Sequence, residues 1–233
     1  ADLQKKPLRK LLDEVEAFAG TEYAAGLFRG RALATADSAR LVETVSRYTG
    51  LSTEYVRSTR MRVEIMRFCK ELLRAEGKTV GRLDSRFTGA DRDGAGENFE
   101  FDPSYAAILG PYASCFNDYV RSNLGFQSDR AYHTLAGLYL TWRWDDFANR
   151  YVSVTDTLRK AMAMNPHLKV FVANGYYDFA TPHFASDFSF NHLAVEGARA
   201  DNITTRYYEA GHMMYVHQPS LAALAAELRG FVK

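Results

Sequence analysis

One apolar run in the last third of the chain constrains the fold more than any other part of the sequence. Residues 168–173, Leu-Lys-Val-Phe-Val-Ala, are nearly all apolar and partly β-branched, which is typical of a strand buried on both faces of a parallel sheet. The turn signal Asn174-Gly175 follows directly. A second strand is predicted over Ile203–Tyr208, followed by a helix that begins near Pro219. Because a helix is also predicted over Thr157–Met164, strands and helices alternate, and the predicted fold class is α/β.

The predicted sheet is incomplete. Two parallel strands do not make a stable open sheet, because each strand needs neighbours on both sides and cover on both faces. We therefore expect residues 151–233 to be the C-terminal part of a larger α/β core. Residues 1–150 are expected to form a mainly helical cap or insertion region, with a long Gly/Asp/Arg-rich surface loop near residues 81–102. The aromatic side chains of residues 103–150 are predicted to pack between amphipathic helices rather than to form a ligand cage.

The first third of the chain has helical periodicity. Apolar residues recur at the spacing of one helix face over Leu8–Phe18. A second helix is predicted to start at Asp37 as N-cap and to end at Gly50 in the left-handed conformation. A third is predicted from about Ser52 to near Gly77. These helices predict a small helical module.

Charge and composition exclude several classes of function. The 29 Lys and Arg residues nearly cancel the 28 Asp and Glu residues, and a net charge of +1 argues against a nucleic-acid partner. The longest apolar runs are far shorter than the roughly 20 residues of a transmembrane helix, so no membrane span is predicted. Cys69 and Cys115 are too few for a disulfide scaffold and fit neither a zinc site nor a redox pair. Whether they form a single bridge is left open by the sequence.

The histidines do not follow metal-binding patterns. His212 and His217 are five residues apart, whereas a helical zinc pair is separated by four. His183 and His192 lack the cysteine or carboxylate pattern typical of zinc sites. We therefore expect neither a metal nor a cofactor.

Asp178 and His212 are the residues best placed for chemistry. Each follows a predicted strand through a glycine-containing turn, and ligands and catalytic groups of α/β sheets gather beyond the carboxyl ends of the strands. An acid followed by a histidine is also the chain order of the last two triad residues of an α/β-hydrolase. Spacing alone leaves a second interpretation open, in which Asp178 caps the following helix and His212 is a hydrogen-bonded loop histidine.

The segments Val170–Pro182 and Tyr207–Tyr215, which contain these two residues, resemble the C-terminal end of the serine carboxypeptidases, peptidase family S10. Similarity to the bacterial branch of that family extends to earlier segments and so covers nearly the whole chain. The segments that carry the resemblance are Gly50–Ser52, Val80–Gly89, Asp102–Ser104, Val170–Pro182, Tyr207–Tyr215 and Gln218-Pro219.

The resemblance implies a fold, an activity and site residues. It implies the last strands and helix of an α/β-hydrolase sheet preceded by a helical cap, and the release of C-terminal residues from peptide substrates. Asp178 corresponds to the triad acid and His212 to the triad base. Met213 matches a residue that helps line the leaving-group pocket, although a buried apolar residue beneath the loop is an equal alternative. Family members are usually secreted or periplasmic, and this is the expected location, although the chain shows no signal-peptide pattern.

The chain departs from the family at the nucleophile. No Gly-x-Ser-x-Gly elbow occurs in the 233 residues, and the segment Gly50–Glu54 lacks both the second glycine and a preceding buried strand. We therefore expect a C-terminal chain or fragment that is inactive alone and that needs the N-terminal half of the same enzyme to supply the serine. Two other functions stay open: a non-catalytic peptide-binding module on a hydrolase remnant, and an acyltransferase or lyase of the same fold.

Overall fold

The computed structural model describes residues 2–134, 137–195, 197 and 200–233, and it has a helix-rich mixed α/β fold. The chain forms two compact units. The first comprises residues up to 79 together with 91–99, and the second comprises residues 80–90 and 100–233. The boundary predicted at residue 150 therefore lies inside the second unit.

The first unit is built from short helices around an apolar core. Leu41, Val42 and Val45 form the buried face of one helix, and Val56 and Met61 pack with them. The helices of this unit are α1 (Leu8–Phe18), α2 (Ala24–Arg29), α3 (Thr35–Thr49), α4 (Thr53–Ser58) and α5 (Ile65–Glu71).

Two predicted helix boundaries in this unit are wrong. Helix α3 begins at Thr35 with Ala34 at the N-cap, so Asp37 lies in the first turn, where a carboxylate still interacts favourably with the helix dipole. The predicted third helix is two helices, because Arg60 and Met61 adopt left-handed backbone conformations between α4 and α5. The predicted left-handed end of α3 at Gly50 is confirmed by its φ of 78°.

The second unit contains the parallel strands. Strand β3 (Val170–Gly175) pairs in parallel with β4 (Ile203–Tyr208), in a register that runs from Val170 opposite Ile203 to Gly175 opposite Tyr208. The predicted strand over residues 168–173 is therefore shifted by two residues toward the C-terminus. The helices and long strands of this unit are, in chain order, α6 (Pro103–Asp118), α7 (Thr155–Met164), β3 (Val170–Gly175), α8 (His183–Asn191), β4 (Ile203–Tyr208) and α9 (Gln218–Val232). Two short strands precede them in the chain, β1 (Lys78–Val80) and β2 (Thr88–Ala90).

The aromatic segment differs from its prediction. Helix α6 covers only the first part of residues 103–150, and Trp142 and Trp144 in the following irregular segment are 61% and 53% exposed. Gly125 and Gly137 adopt left-handed backbone conformations in this segment. Because such conformations end a right-handed helix, helix α6 does not continue through the segment. The prediction of aromatic faces packed between helices is wrong for this segment.

A small core beneath the ends of β3 and β4 supports the strands. Tyr208, Ala210 and Met214 are buried there, with Ala173 and Leu224 packed against them. Within the part of the chain that the structure describes, no helix combines the length and apolar character needed to cross a bilayer.

Candidate functional site

Asp178 and His212 lie together where two parallel strands end. Because β3 and β4 run in parallel and in register, the turns that follow them meet at the same edge of the sheet. The Nδ1 atom of His212 is 2.9 Å from Oδ2 of Asp178. The structure therefore brings together the two residues that the sequence predicts as an acid and a base.

The second carboxylate oxygen of Asp178 fixes the orientation of the side chain. Its Oδ1 accepts hydrogen bonds from the backbone N–H groups of Ala180, at 2.7 Å, and of Thr181, at 2.9 Å. The side chain is only 6% exposed. Helix α8 begins at His183 and has no side-chain cap. The alternative that Asp178 caps this helix is therefore wrong, because its carboxylate holds the turn and reaches the imidazole.

His212 is more accessible than its partner. Its side chain is 44% exposed, and its backbone N–H donates to the carbonyl oxygen of Leu83 at 2.7 Å. The hydrogen bond to Asp178 raises the pKa of His212 above its ordinary value, while burial and the nearby Arg82 guanidinium act in the opposite direction. Among the described residues, no side chain forms a hydrogen bond with Nε2 of His212, so this nitrogen is available to an incoming group.

Two glycines allow the turns to approach each other closely. A Cβ atom on Gly175 would lie 2.3 Å from the carbonyl oxygen of Gly211. A Cβ atom on Gly211 would lie 2.3 Å from the carbonyl oxygen of Leu83. Real Cβ atoms do not come this close to oxygen, so only glycine fits at either position.

A third segment, residues 82–86, completes the site, and sequence reasoning assigned it no role. Buried Asp84 accepts hydrogen bonds from the Arg86 guanidinium, at 3.0 and 2.7 Å, and from the backbone N–H of Gly211, at 3.1 Å. Arg86 in turn donates to the carbonyl oxygen of Glu209 at 2.8 Å. Asp84 and Arg86 thus position the turn that carries His212. The only available signal was that both lie in a segment that carries the family resemblance.

The same segment also contacts the turn that carries Asp178. The backbone N–H of Phe179 donates to the carbonyl oxygen of Arg82 at 3.0 Å, and the N–H of Ser85 donates to that of Tyr177 at 2.9 Å. On its other side, the Asp102 carboxylate accepts from the backbone N–H of Arg82. Residues 82–86 therefore hold both turns in one arrangement.

Met213 is half-buried immediately after His212. The buried methionine of this turn is its neighbour Met214, which is 8% exposed. Lining of a leaving-group pocket by Met213 stays a prediction.

The other histidines and the cysteines are not part of this site. His217 and Ser220 share a hydrogen bond of 2.8 Å between Nδ1 and Oγ, but they are three residues apart at the start of α9 and Ser220 is buried. Cys69 is buried and Cys115 is exposed. Among the described residues, no three His, Cys, Asp or Glu side chains are grouped so that they could hold a metal ion.

Comparisons with protein-family models, with curated protein sequences and with solved structures find no match to this chain. The interpretation of the Asp178–His212 pair therefore depends on its own geometry and on the sequence segments around it.

Proposed function

We propose that this chain supplies the acid and the base of a serine hydrolase, and specifically of a serine carboxypeptidase that releases C-terminal residues from peptides. The observation that carries the proposal is the 2.9 Å hydrogen bond between the buried Asp178 carboxylate and the half-exposed His212 imidazole. The position of the pair beyond the ends of two parallel strands supports it further. The choice of peptide substrates depends on the family resemblance of the surrounding segments.

The geometry of the pair suits general base catalysis. Asp178 accepts the Nδ1–H of His212 and thereby holds the tautomer whose lone pair is on Nε2. In the proposed reaction, Nε2 takes the proton of a serine hydroxyl as the serine oxygen bonds to the scissile carbonyl carbon. The imidazolium then gives this proton to the leaving amine as the C–N bond breaks. In the second half of the reaction, Nε2 takes a proton from water as the water oxygen bonds to the acyl carbon. The imidazolium then gives a proton to the serine oxygen as the bond between serine and the acyl group breaks.

The nucleophile of the proposed enzyme lies outside these 233 residues. The chain has no Gly-x-Ser-x-Gly elbow, and within the described ranges no serine hydroxyl is hydrogen-bonded to His212. We assign the serine and the oxyanion hole to the N-terminal half of the same enzyme. On this proposal the chain alone does not hydrolyse peptides.

The test is fluorophosphonate labelling of the protein isolated from its natural source, with mass mapping of the labelled serine. We expect the label on a serine outside the 233 residues and no label on this chain when it is produced alone. A label on a serine within the chain would show that the nucleophile is misplaced in the proposal. Absence of any labelling under conditions in which the protein binds peptides would favour the non-catalytic binding module.

A matched pair of variants separates catalysis from folding. His212→Gln in the enzyme that carries the serine should lower the hydrolysis rate by about 10³-fold or more, whereas His217→Gln, which removes a histidine that also bonds to an oxygen, should leave it within about twofold. Peptides with a free C-terminal carboxylate should be cleaved, and their C-terminal amides should not. Turnover of an acyl donor only with an alcohol or amine acceptor would reassign the protein to the acyltransferases.

A further inference from the structure

The first unit contains an open groove of about 870 Å³ that is rich in arginine. Arg31, Arg57, Arg60 and Arg62 all line it, and no aspartate or glutamate does. Its volume lies within the range of small-molecule sites in proteins. Because the whole chain has a net charge of only +1, this positive charge is a local feature rather than a general property of the surface.

The arginines of the groove lack the partners that other arginines of this unit have. Among the described residues, no carboxylate lies within ion-pair distance of Arg31, Arg57 or Arg60, and the Arg62 guanidinium donates only to backbone carbonyl oxygens, at 3.2 and 3.3 Å. By contrast, Arg47, elsewhere on α3, pairs with an aspartate. Guanidinium groups bind carboxylate and phosphate oxygens through paired hydrogen bonds. The groove therefore offers several unused donors for an anion.

The backbone beside the groove is held in an uncommon conformation. Arg60 and Met61 have φ values of 52° and 62°, and such left-handed conformations are unfavourable for residues other than glycine. Two hydrogen bonds hold this turn: the Met61 N–H donates to the carbonyl oxygen of Val56 at 2.8 Å, and the Tyr23 hydroxyl donates to that of Met61 at 2.5 Å. The turn places Met61 in the core and leaves Arg60 exposed in the groove.

Apolar side chains and a helix terminus line the rest of the groove. Leu27 and Leu33 contribute apolar surface. Thr35, the first residue of the 15-residue helix α3, also lines it, and no side chain caps this helix. The uncapped N–H groups of its first turn add to the positive potential of the arginines.

We infer that this groove binds a small organic anion that joins an apolar portion to a carboxylate or phosphate group. The guanidinium groups take the anionic group, and the leucines contact the apolar portion. Arg31 and Arg57 lie outside the left-handed turn. Replacing either one should therefore change anion binding through the loss of its guanidinium group alone. This inference is independent of the proposed hydrolase function, because every residue that carries it lies in the first unit.

The experiment is titration calorimetry of the full chain with octyl phosphate and with octanoate, each kept below its micelle-forming concentration. Octyl glucoside, which has the same alkyl chain and no charge, and inorganic phosphate, which has the charge and no alkyl chain, are the controls. We expect saturable binding of at least one octyl anion, and we expect added salt to weaken it. Both controls should bind at least about tenfold more weakly than that anion. The two anions show whether carboxylate or phosphate is preferred.

Arg31→Gln and Arg57→Gln should each weaken binding by about tenfold, and Arg47→Gln, which removes the same charge outside the groove, should not change it. Circular dichroism confirms that each variant keeps its helices. Absence of binding, equal binding of octyl glucoside, or equal affinity in the groove variants and in Arg47→Gln would overturn the inference. Tighter binding of an acidic peptide than of either octyl anion would also overturn it, by showing a macromolecular partner.

Discussion

Replacing Asp178 by alanine tests the physical basis of the candidate site. The change removes the acceptor of three hydrogen bonds, from two backbone N–H groups at 2.7 and 2.9 Å and from the His212 imidazole at 2.9 Å. Hydrogen bonds to charged groups contribute about 1.5–3 kcal/mol each, and less where water can replace the lost partner. Because the imidazole is half-exposed, we expect the free energy of unfolding of the second unit to fall by about 2–4 kcal/mol.

Urea unfolding followed by tryptophan fluorescence measures this loss. The two tryptophans of the chain, Trp142 and Trp144, both belong to the second unit, so their signal reports on the unit that holds Asp178. The matched control is Asp156→Ala, because that side chain is 89% exposed and forms its ion pair with an exposed arginine. It should change the unfolding free energy by no more than about 0.5 kcal/mol. Equal losses for both variants would refute the reasoning.

A double-mutant cycle with His212→Ala isolates the contact between the two side chains. Exposure of the ring limits the expected coupling to about 0.5–1 kcal/mol. The pKa of His212 is raised above 6.5 by Asp178, so the pair stabilises the fold fully below that pH, and the stabilisation is lost as the pH rises through the raised pKa. Coupling should therefore be larger near about pH 6 than near about pH 8.5. A coupling that does not change with pH would contradict the assigned hydrogen bond.

Two further predictions concern packing. Gly211→Ala should destabilise the second unit by about 3 kcal/mol or more, because the new Cβ would clash with a carbonyl oxygen at 2.3 Å. The control Gly110→Ala, at a helical position with open space around it, should stabilise the unit by about 0.5–1 kcal/mol. Urea unfolding midpoints detected by tryptophan fluorescence compare the two variants, and equal midpoints would contradict the steric argument. Lys70→Met should cost the first unit about 3–5 kcal/mol by leaving the Asp91 carboxylate, which pairs with Lys70 in a buried ion pair, without its counter-charge. The double change Lys70→Met/Asp91→Leu should recover most of that loss in circular-dichroism melts, and a double variant less stable than the single one would show that the pair itself is strongly stabilising.

The acid–base pair could be predicted because its signals are local. The apolar strands, the glycine turns that follow them and the positions of Asp178 and His212 are all visible within short windows of sequence. The parallel pairing then follows from the order of strand and helix, and β3 and β4 confirm it. A shift of two residues in the first strand did not change which turn carries Asp178.

Residues 82–86 could not be given a role from the sequence for a physical reason. Asp84 acts through a hydrogen bond to the backbone of Gly211, which is 127 residues away, and contacts of this kind leave no periodic pattern. The break between α4 and α5 was missed for a different reason. Met61 and Phe68 are seven residues apart and so continue the helical spacing across the break, because both pack in the same core.

The long separation of Asp84 from Gly211 also bears on the order of folding. Asp178 and His212 are 34 residues apart, whereas Asp84 and Gly211 are 127 apart, so the second contact closes a longer loop at an additional entropic cost of about 1 kcal/mol. The strands and the acid–base pair are thus expected to assemble before residues 82–86 dock onto them. In stopped-flow refolding, Asp84→Ala should then mainly accelerate unfolding and change the refolding rate little, which would identify the docking of this segment as a step after the transition state.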